Sequence, residues 1–316
     1  MKLSILSDPT FYLTPAMLVD LSEHVEVDYL PAENATAERL SDAEIIFGCP
    51  SVELLPQLPW LRWHHLPNAA IQPYISPDLY ANPQIILSNS RGVYGAAAAE
   101  HVAAMALGLA RQFPLYNKRQ NEQIWQREDY GATSVENSTA AIFGLGDLGG
   151  CTAKKLKALG AYIIGVRRSL LDKPPYVDEL FDLRATREVL SRSDFVINCL
   201  PWTQRTEKLF NQSLFKSMKK SAYFINIGRG KTVDTEAMVA ALQSGTIAGA
   251  ALDVTDPEPL PQGHPLWQMP NVTITPHASC VSEDVQQRKV ELFLRQLEKY
   301  QSKRAVPNRV NFANGY

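Results

Sequence analysis

The segment TAAIFGLGDLGG, residues 139–150, constrains the fold of this chain more than any other part of its sequence. An apolar run comes first, Gly144, Gly146 and Gly149 follow in G-x-G-x-x-G spacing, and a helical pattern begins among them. In that order the first glycine permits a tight turn, the second lets a pyrophosphate approach the backbone, and the third lets the helix pack on the strand. The segment therefore predicts a strand–turn–helix unit that binds a dinucleotide, in preference to a plain turn between a strand and a helix.

Short apolar runs alternate with helical patterns on both sides of this segment. Before residue 96 the runs are KLSILS, VEVDYL, EIIFG, LRWHHL and QIILSNS, and after residue 138 they are TAAIF, AYIIGV, DFVINCL, AYFINI, AGAALDV and VTITP. Such alternation predicts an α/β protein with two doubly wound parallel-sheet domains. An alanine-rich helix at 96–111 would join the domains, whereas periodicity does not assign the amphipathic pattern at 282–300 to either of them.

Composition narrows the classes of partner. The 316 residues are enough for two domains, and the net charge of −2, with lysines and acids interleaved, gives no basic footprint for nucleic acid. No apolar run approaches the ~18 residues of a membrane span, and the start lacks the apolar stretch of a secretory signal. Cys49, Cys151, Cys199 and Cys280 lack metal-ligand spacing, so we expect reduced thiols, no metal site and a cytoplasmic protein.

The strand that follows the glycine turn, in AYIIGVRRS, ends in Arg167, Arg168 and Ser169. At this position an acid would bond the ribose 2′-hydroxyl of NAD, but the first acid here is Asp172. Guanidinium groups pair with phosphate through two hydrogen bonds, and a nearby hydroxyl adds a donor. We therefore expect NADP(H) as the preferred cofactor, while a solvated position of the arginines would leave NAD(H) possible.

Three later strands each deliver polar side chains at their carboxyl ends. AYFINIGRG leads to Arg229, AGAALDVTDPEP leads to Asp253 and Glu258, and VTITPHAS leads to His277. Ligands of doubly wound sheets bind beyond the carboxyl ends of the strands, so these groups are expected to converge near the nicotinamide. Singly, each has a plain interpretation as a loop residue, a solvated acid or a residue at a helix start. Because they occur at three successive strand ends after a dinucleotide-binding turn, we favour the interpretation that they take part in chemistry.

These segments resemble a known family. NIGRGKTVDTEAMVAALQSGTIAGAALDVTDPEPLP and the following HPLWQMPNVTITPHAS are similar to the signature of the D-isomer-specific 2-hydroxyacid dehydrogenases, and nearly the whole chain is covered. Within that family the chain most resembles NADPH-dependent glyoxylate/hydroxypyruvate reductases. The resemblance implies an enzyme that reduces small 2-keto acids to D-2-hydroxy acids by hydride transfer. It leaves open a phosphoglycerate dehydrogenase-like enzyme, or a corepressor-type protein of the same fold that senses the cofactor.

The resemblance also implies the roles of the catalytic residues. Arg229 would bind the substrate carboxylate and polarise its 2-carbonyl, and His277 would protonate the carbonyl oxygen. Glu258 would bond His277 and favour its charged form. The backbone of the turn formed by Asn68, Ala69 and Ala70 would hold the substrate carboxylate, although the glycines usual at this turn are missing. Substrate would therefore contact Arg229, His277 and this turn.

Contacts to the cofactor are implied around the glycine turn, the arginine loop and the loops of the later strands. Asp253 would bond the nicotinamide amide, and Leu200 and Pro201 would lie against the cofactor. The full predicted set is Gly144, Leu145, Gly146, Asp147, Leu148, Gly149, Arg167, Arg168, Ser169, Leu200, Pro201, Thr206, Ile227, Gly228, Arg229, Asp253, His277 and Ser279.

Domain roles and assembly follow from the same resemblance. Residues 1–95 and 287–316 would form a flavodoxin-like substrate-binding domain, and residues 96–286 a Rossmann dinucleotide-binding domain. The helix from Ala96, with Phe113, Tyr116 and Trp125 beyond it, resembles the arm through which the family forms homodimers. The uncharged Gly48, Cys49 and Pro50, in the loop that helps select the substrate, disfavour a phosphorylated one.

Overall fold

The computed structural model describes residues 1–127 and 131–312, and the chain divides into two compact units. The first unit comprises Met1–Val93 and Ser282–Tyr316, and the second comprises Tyr94–Val281. The second break precedes the expected border at 286 because the whole last helix belongs to the first unit.

The first unit is built on a five-stranded sheet in the order β2-β1-β3-β4-β5, and all its pairings are parallel. The chain runs from β1 to β2 on one side and to β3 on the other, which makes the carboxyl ends of β1 and β3 the switch point of this sheet. Its strands and helices are β1 (Lys2–Ser7), α1 (Pro15–Ser22), β2 (Glu26–Pro31), β3 (Ile45–Phe47), β4 (Trp63–Leu66), β5 (Ile86–Asn89) and the chain's last helix, α8 (Glu283–Gln301).

The last helix is fixed to the first unit by its apolar stripe. Val290, Phe293 and Leu297 recur at helical spacing and are buried. The Phe293 ring stacks on Phe47 at 4.6 Å and on Trp63 at 4.9 Å between ring centroids. Each buried side chain of this size stabilises the fold by about 1.5–3 kcal/mol relative to an exposed position. Packing thus decides what the periodicity of the last helix could not.

The second unit is built on a seven-stranded parallel sheet in the order β12-β11-β10-β9-β6-β7-β8. Its helices are α2 (Gly95–Ala110), α3 (Phe113–Asn121), α4 (Asp147–Ala158), α5 (Thr186–Arg192), α6 (Gln212–Phe215) and α7 (Thr235–Gln243). Its strands are β6 (Thr139–Phe143), β7 (Tyr162–Val166), β8 (Glu179–Phe181), β9 (Phe195–Asn198), β10 (Tyr223–Asn226), β11 (Gly249–Leu252) and β12 (Val272–Ile274). The two wholly parallel sheets confirm the predicted pair of doubly wound α/β domains.

The order of the strands positions the candidate site in the second unit. From β6 the chain passes to β7 on one side and later to β9 on the other, so the switch point lies between the carboxyl ends of β6 and β9. The glycine turn follows β6, and β9, β10, β11 and β12 are successive neighbours. The loops after these strands therefore share one edge of the sheet.

Candidate active site

The glycine turn has the backbone shape that its spacing predicts. Gly144 has a φ of 92°, which favours glycine, and its N–H donates to the Val166 carbonyl at 2.8 Å. A Cβ on Gly149 would lie 1.8 Å from the Gly144 carbonyl oxygen, so no side chain fits there. A Cβ on Gly146 would meet nothing within 4 Å, and α4 begins directly after it at Asp147. This bare helix start with open space beside it fits a pyrophosphate.

The two arginines after β7 differ in their environments. The Arg167 guanidinium donates to carbonyl oxygens of its own loop, those of Ser169 at 2.6 Å, of Leu171, and of Asp172 at 3.1 Å. Arg168 is exposed, and within residues 1–127 and 131–312 it forms no hydrogen bond or ion pair. Arg168 is thus the guanidinium available to an anionic ligand, while Arg167 shapes the loop.

His277 and Glu258 form the predicted pair. His277 Nδ1 lies 2.6 Å from Glu258 Oε1, and the two side chains are 47% and 42% exposed. With Nδ1 donating to a carboxylate, Nε2 is the nitrogen that can exchange a proton with a ligand. Accessibility and pairing together give the chemistry of a general acid held in one orientation.

The backbone of His277 is held by the end of the neighbouring strand. His277 has a φ of 52°, which is uncommon for a residue with a side chain, and its N–H donates to the Asp253 carbonyl at 2.8 Å. The Asp253 carboxylate accepts hydrogen bonds from the Thr275 hydroxyl at 2.6 Å and from the N–H groups of Ala278 at 2.7 Å and Ser279 at 3.0 Å. The buried Asp253 side chain thus holds residues on both sides of His277 in the sequence.

The charge of this carboxylate is set by two opposing effects. Burial raises the pKa of Asp253, but the hydrogen bonds from Ser279, Thr275 and Ala278 outweigh it and lower the pKa below its usual value of 3.8. The carboxylate is therefore ionised at neutral pH.

Arg229 follows β10 in an exposed position. Its Nη1 donates to the Gly228 carbonyl at 2.7 Å. A Cβ on the next residue, Gly230, would lie 1.8 Å from the Thr255 carbonyl oxygen, so the chain there packs against the segment that leads to Glu258. Since β10, β11 and β12 are adjacent, Arg229, Asp253 and His277 follow three neighbouring strand ends.

The loop after β9 is closed by a threonine. The Thr206 hydroxyl donates to the Pro201 carbonyl at 2.7 Å and accepts the Thr203 N–H at 2.8 Å. Leu200 N–H donates to Asn198 Oδ1 at 3.1 Å, and the buried Ile227 donates to the Asn198 carbonyl at 3.1 Å. Leu200, Pro201 and Thr206 therefore belong to one ordered loop at the sheet edge.

Sequence reasoning missed a buried polar network beneath this edge. Asn198 Nδ2 donates to Asn226 Oδ1 at 2.9 Å and to Thr232 Oγ1 at 2.7 Å. The two asparagines end neighbouring strands in the same register. Their repeated position, in DFVIN and AYFIN, is the signal that could have found them.

The turn predicted to hold the substrate carboxylate lies in the first unit, after β4. Asn68 O accepts the Ser90 N–H at 3.2 Å and Ala69 O accepts Asn89 Nδ2 at 2.8 Å, while Ala69 and Ala70 are exposed. These bonds fix the turn, and its role toward substrate stays a prediction.

Two histidines precede that turn. Burial lowers the pKa of His64 to about 4 and, with the neighbouring His64, that of His65 to about 3. His64 bonds Tyr80 and Gly48, and His65 bonds Ser88 and Ser90. Both rings are neutral structural groups.

Cys280 is poorly suited to act as a nucleophile. Burial raises the pKa of its thiol, so the reactive thiolate is scarce at neutral pH. Within the described residues no group of three or more His, Cys, Asp or Glu side chains could hold a metal ion. In the same ranges no helix is long and apolar enough to cross a bilayer.

Comparison with known proteins adds an independent finding. Residues 103–279 match the family model described as D-isomer specific 2-hydroxyacid dehydrogenase, NAD binding domain. Glyoxylate/hydroxypyruvate reductase B of Klebsiella pneumoniae is 31% identical over 281 residues, which are 85% of this chain and 86% of that protein.

Solved structures also resemble this chain over nearly its whole length. A D-isomer specific 2-hydroxyacid dehydrogenase family protein from Aeromonas salmonicida has a TM-score of 0.85 at 27% identity, covering 98% of this chain and 99% of that one. An NADPH-dependent glyoxylate/hydroxypyruvate reductase from Sinorhizobium meliloti, in complex with NADP and sulfate, has a TM-score of 0.80 at 26% identity, covering 100% of this chain and 99% of that one.

Proposed function

Since this chain belongs to the D-isomer-specific 2-hydroxyacid dehydrogenase family and is thus an NAD(P)-dependent oxidoreductase, we propose that it reduces small 2-keto acids to D-2-hydroxy acids with NADPH. Glyoxylate and hydroxypyruvate are the proposed substrates. The observation that carries the proposal is the His277–Glu258 pair, 2.6 Å apart and accessible, in the unit that holds the glycine turn. The similarity to glyoxylate/hydroxypyruvate reductases supports the substrate class.

The proposed chemistry needs a proton and a hydride at one carbonyl group. The nicotinamide, when bound, supplies the hydride to the carbonyl carbon. His277 Nε2 gives its proton to the carbonyl oxygen, and the Glu258 carboxylate stabilises the charged ring before transfer. Arg229 binds the substrate carboxylate through its planar pair of donors and draws electron density from the carbonyl. In the reverse direction His277 accepts the proton.

The two units take different roles in this proposal. The second unit binds the cofactor through the glycine turn, the arginine loop and the loops that contain Leu200, Ile227 and Asp253. The first unit binds the substrate carboxylate with the N–H groups of Asn68, Ala69 and Ala70. Asp253, which follows β11, is proposed to accept a hydrogen bond from the nicotinamide amide.

NADPH is proposed over NADH because of Arg168. Its guanidinium is exposed next to the end of β7, where the ribose 2′-phosphate would lie, and the first acid after this strand is Asp172. The binding of NADP by the Sinorhizobium meliloti relative is consistent with this preference.

We further propose a homodimer in the cytoplasm with no nucleic-acid partner. Phe113 is 58% and Trp125 is 103% exposed, which leaves large apolar surfaces beyond α2 for a second copy. The four cysteines are free thiols, as expected in a reducing compartment. Sedimentation of the full chain tests the dimer, and a mass near 35.2 kDa would contradict it.

A panel of keto acids tests the proposed function. NADPH absorbance is followed with glyoxylate, hydroxypyruvate, pyruvate, phenylpyruvate and phosphohydroxypyruvate, each with NADH as the matched comparison. We expect the highest kcat/KM for glyoxylate or hydroxypyruvate with NADPH. Turnover confined to aromatic or phosphorylated keto acids would overturn the substrate class, and equal use of the two cofactors would overturn the cofactor preference.

A further inference from the structure

His101 lies in α2, a helix whose sequence predicted only an apolar connection. Its Nε2 is 3.0 Å from Thr275 Oγ1 and 3.8 Å from Asp253 Oδ1, and its side chain is 24% exposed. These three residues belong to the second unit. They connect the long helix to the turn on which His277 lies.

The hydrogen bonds around Asp253 show which group donates and which accepts in each contact. Asp253 is ionised and can only accept, so the Thr275 hydroxyl donates its one proton to Asp253 Oδ1 at 2.6 Å. The Thr275 oxygen is then an acceptor toward His101. His101 must therefore carry its proton on Nε2 and donate it to Thr275.

This series of hydrogen bonds ends at the backbone of the turn at 275–279. Asp253 receives the N–H groups of Ala278 and Ser279, the two residues after His277. His277 itself occupies the left-handed region, with a φ of 52°, which persists only where neighbouring contacts enforce it. A donor that orients Thr275 thus also fixes the carboxylate that enforces the turn.

We propose that His101 is a positioning residue for His277, acting through the Thr275 hydroxyl and the Asp253 carboxylate. The inference rests on the proposed role of His277 as proton donor. His101 itself touches no reacting atom. Loss of the His101 side chain removes the N–H that donates to the Thr275 hydroxyl oxygen and loosens the turn at 275–279. The His277 ring is then displaced relative to the substrate carbonyl.

The alternative is that His101 only packs α2 against the end of β12. Both roles predict some loss of thermal stability, so stability cannot separate them. A positioning role predicts a selective loss of kcat, rescue by another N–H donor, and no further loss once His277 is gone.

The test compares His101→Leu, which removes the donor, with His101→Gln, whose amide N–H can replace it. For His101→Leu we expect kcat for hydroxypyruvate to fall by about tenfold to a hundredfold, the effect of a displacement of about 1 Å at a reacting group. The Kd of NADPH, from fluorescence titration, should change by less than about threefold, roughly within the error of additivity. His101→Gln should recover most of the lost kcat. Glu100→Gln, on the same helix and exposed, is the matched control and should behave as the wild type.

A double-mutant cycle completes the test. In the His277→Ala background, His101→Leu should not lower kcat further. Thr275→Val provides a second variant if His101→Leu does not fold. It should lower kcat as His101→Leu does, and combining the two substitutions should lower kcat no further. An additive loss, or no rescue by glutamine, would overturn the inference while His277→Ala still shows its own loss. Wild-type turnover by His277→Ala would instead remove the proposed function of His277, and this inference with it.

Discussion

Two loops at the same sheet edge show two different ways in which the backbone of the candidate site is held. The turn at 275–279 and the loop at 167–172 each follow a strand and each contain a residue in the left-handed region, His277 at 52° and Asp172 at 54°. The first is bonded to the buried carboxylate of Asp253, which directly follows the neighbouring strand β11. The second is tied by Arg167 to its own carbonyl groups, at a partly exposed position.

The first loop is held by hydrogen bonds to a distant part of the sequence, and the second by hydrogen bonds within itself. A turn anchored by buried bonds to another strand moves only if the sheet edge is disturbed, because each broken bond leaves an unsatisfied buried group. A loop closed by its own arginine can rearrange at little cost, since water replaces the bonds. In the proposed function, proton transfer, which needs exact placement, lies on the first loop, and attraction of the ribose 2′-phosphate lies on the second.

The largest effect is expected for His277→Ala. Removal of the proposed proton donor should lower kcat by roughly 10²–10⁴. NADPH binding should stay nearly unchanged, because the glycine turn and Arg168, its proposed contacts, are retained. Initial rates and a fluorescence titration of NADPH measure the two quantities. His24→Ala, an exposed histidine of the first unit, is the matched control. Loss of NADPH binding in parallel with turnover would contradict the division of roles between the two loops.

Asp253→Asn tests the anchored turn. An amide in place of the carboxylate offers donors toward backbone N–H groups and should cost about 2 kcal/mol in the free energy of unfolding, measured with denaturant. The wild-type Asp253 pKa lies below its unfolded value of 3.8, so its contribution is complete well above pH 4 and is lost as pH falls through the folded pKa. The difference between the two proteins should therefore shrink on acidification. A difference that grows toward low pH would contradict the ionised anchor.

Arg168→Ser tests the exposed charge of the second loop. A hydrogen bond to a charged group is worth about 1.5–3 kcal/mol, so kcat/KM for NADPH should fall by about tenfold or more. The value for NADH should stay near that of the wild type, because NADH has no 2′-phosphate. An equal loss for both cofactors would show that Arg168 does not read the phosphate.

Arg167→Ser gives the smallest expected effect and sharpens the comparison within one loop. Its guanidinium bonds Ser169, Leu171 and Asp172, so its loss should loosen the loop and lower kcat/KM for both cofactors by a similar factor, of about twofold to fivefold. Steady-state kinetics with each cofactor measures it. A loss confined to NADPH would mean that Arg167 leaves its loop to bind the phosphate.

Sequence reasoning reached those features that depend on local pattern. The parallel sheets followed from alternating apolar runs, and the Gly144–Gly149 turn followed from glycine spacing, because both reflect constraints that neighbouring residues impose. The pairing of His277 with Glu258 followed from the family resemblance, and the structure brings their side chains together.

Other features needed three-dimensional information. The Asn198–Asn226 network depends on strand register, and the contact of His101 with Thr275 joins residues far apart in the chain. The side-chain conformation of Arg167 depends on the backbone of an exposed loop, which charge alone does not specify. The place of α8 in the first unit was decided by stacking on Phe47 and Trp63.

The proposed function is the transfer of hydride from NADPH to a small 2-keto acid, with His277 as proton donor. The most direct test incubates the wild type and His277→Ala with NADPH and hydroxypyruvate, and quantifies both NADPH consumed and the enantiomer of glycerate formed. We expect one D-glycerate per NADPH with the wild type and a rate at least roughly a hundredfold lower with His277→Ala. Formation of L-glycerate, or an undiminished rate without His277, would contradict it.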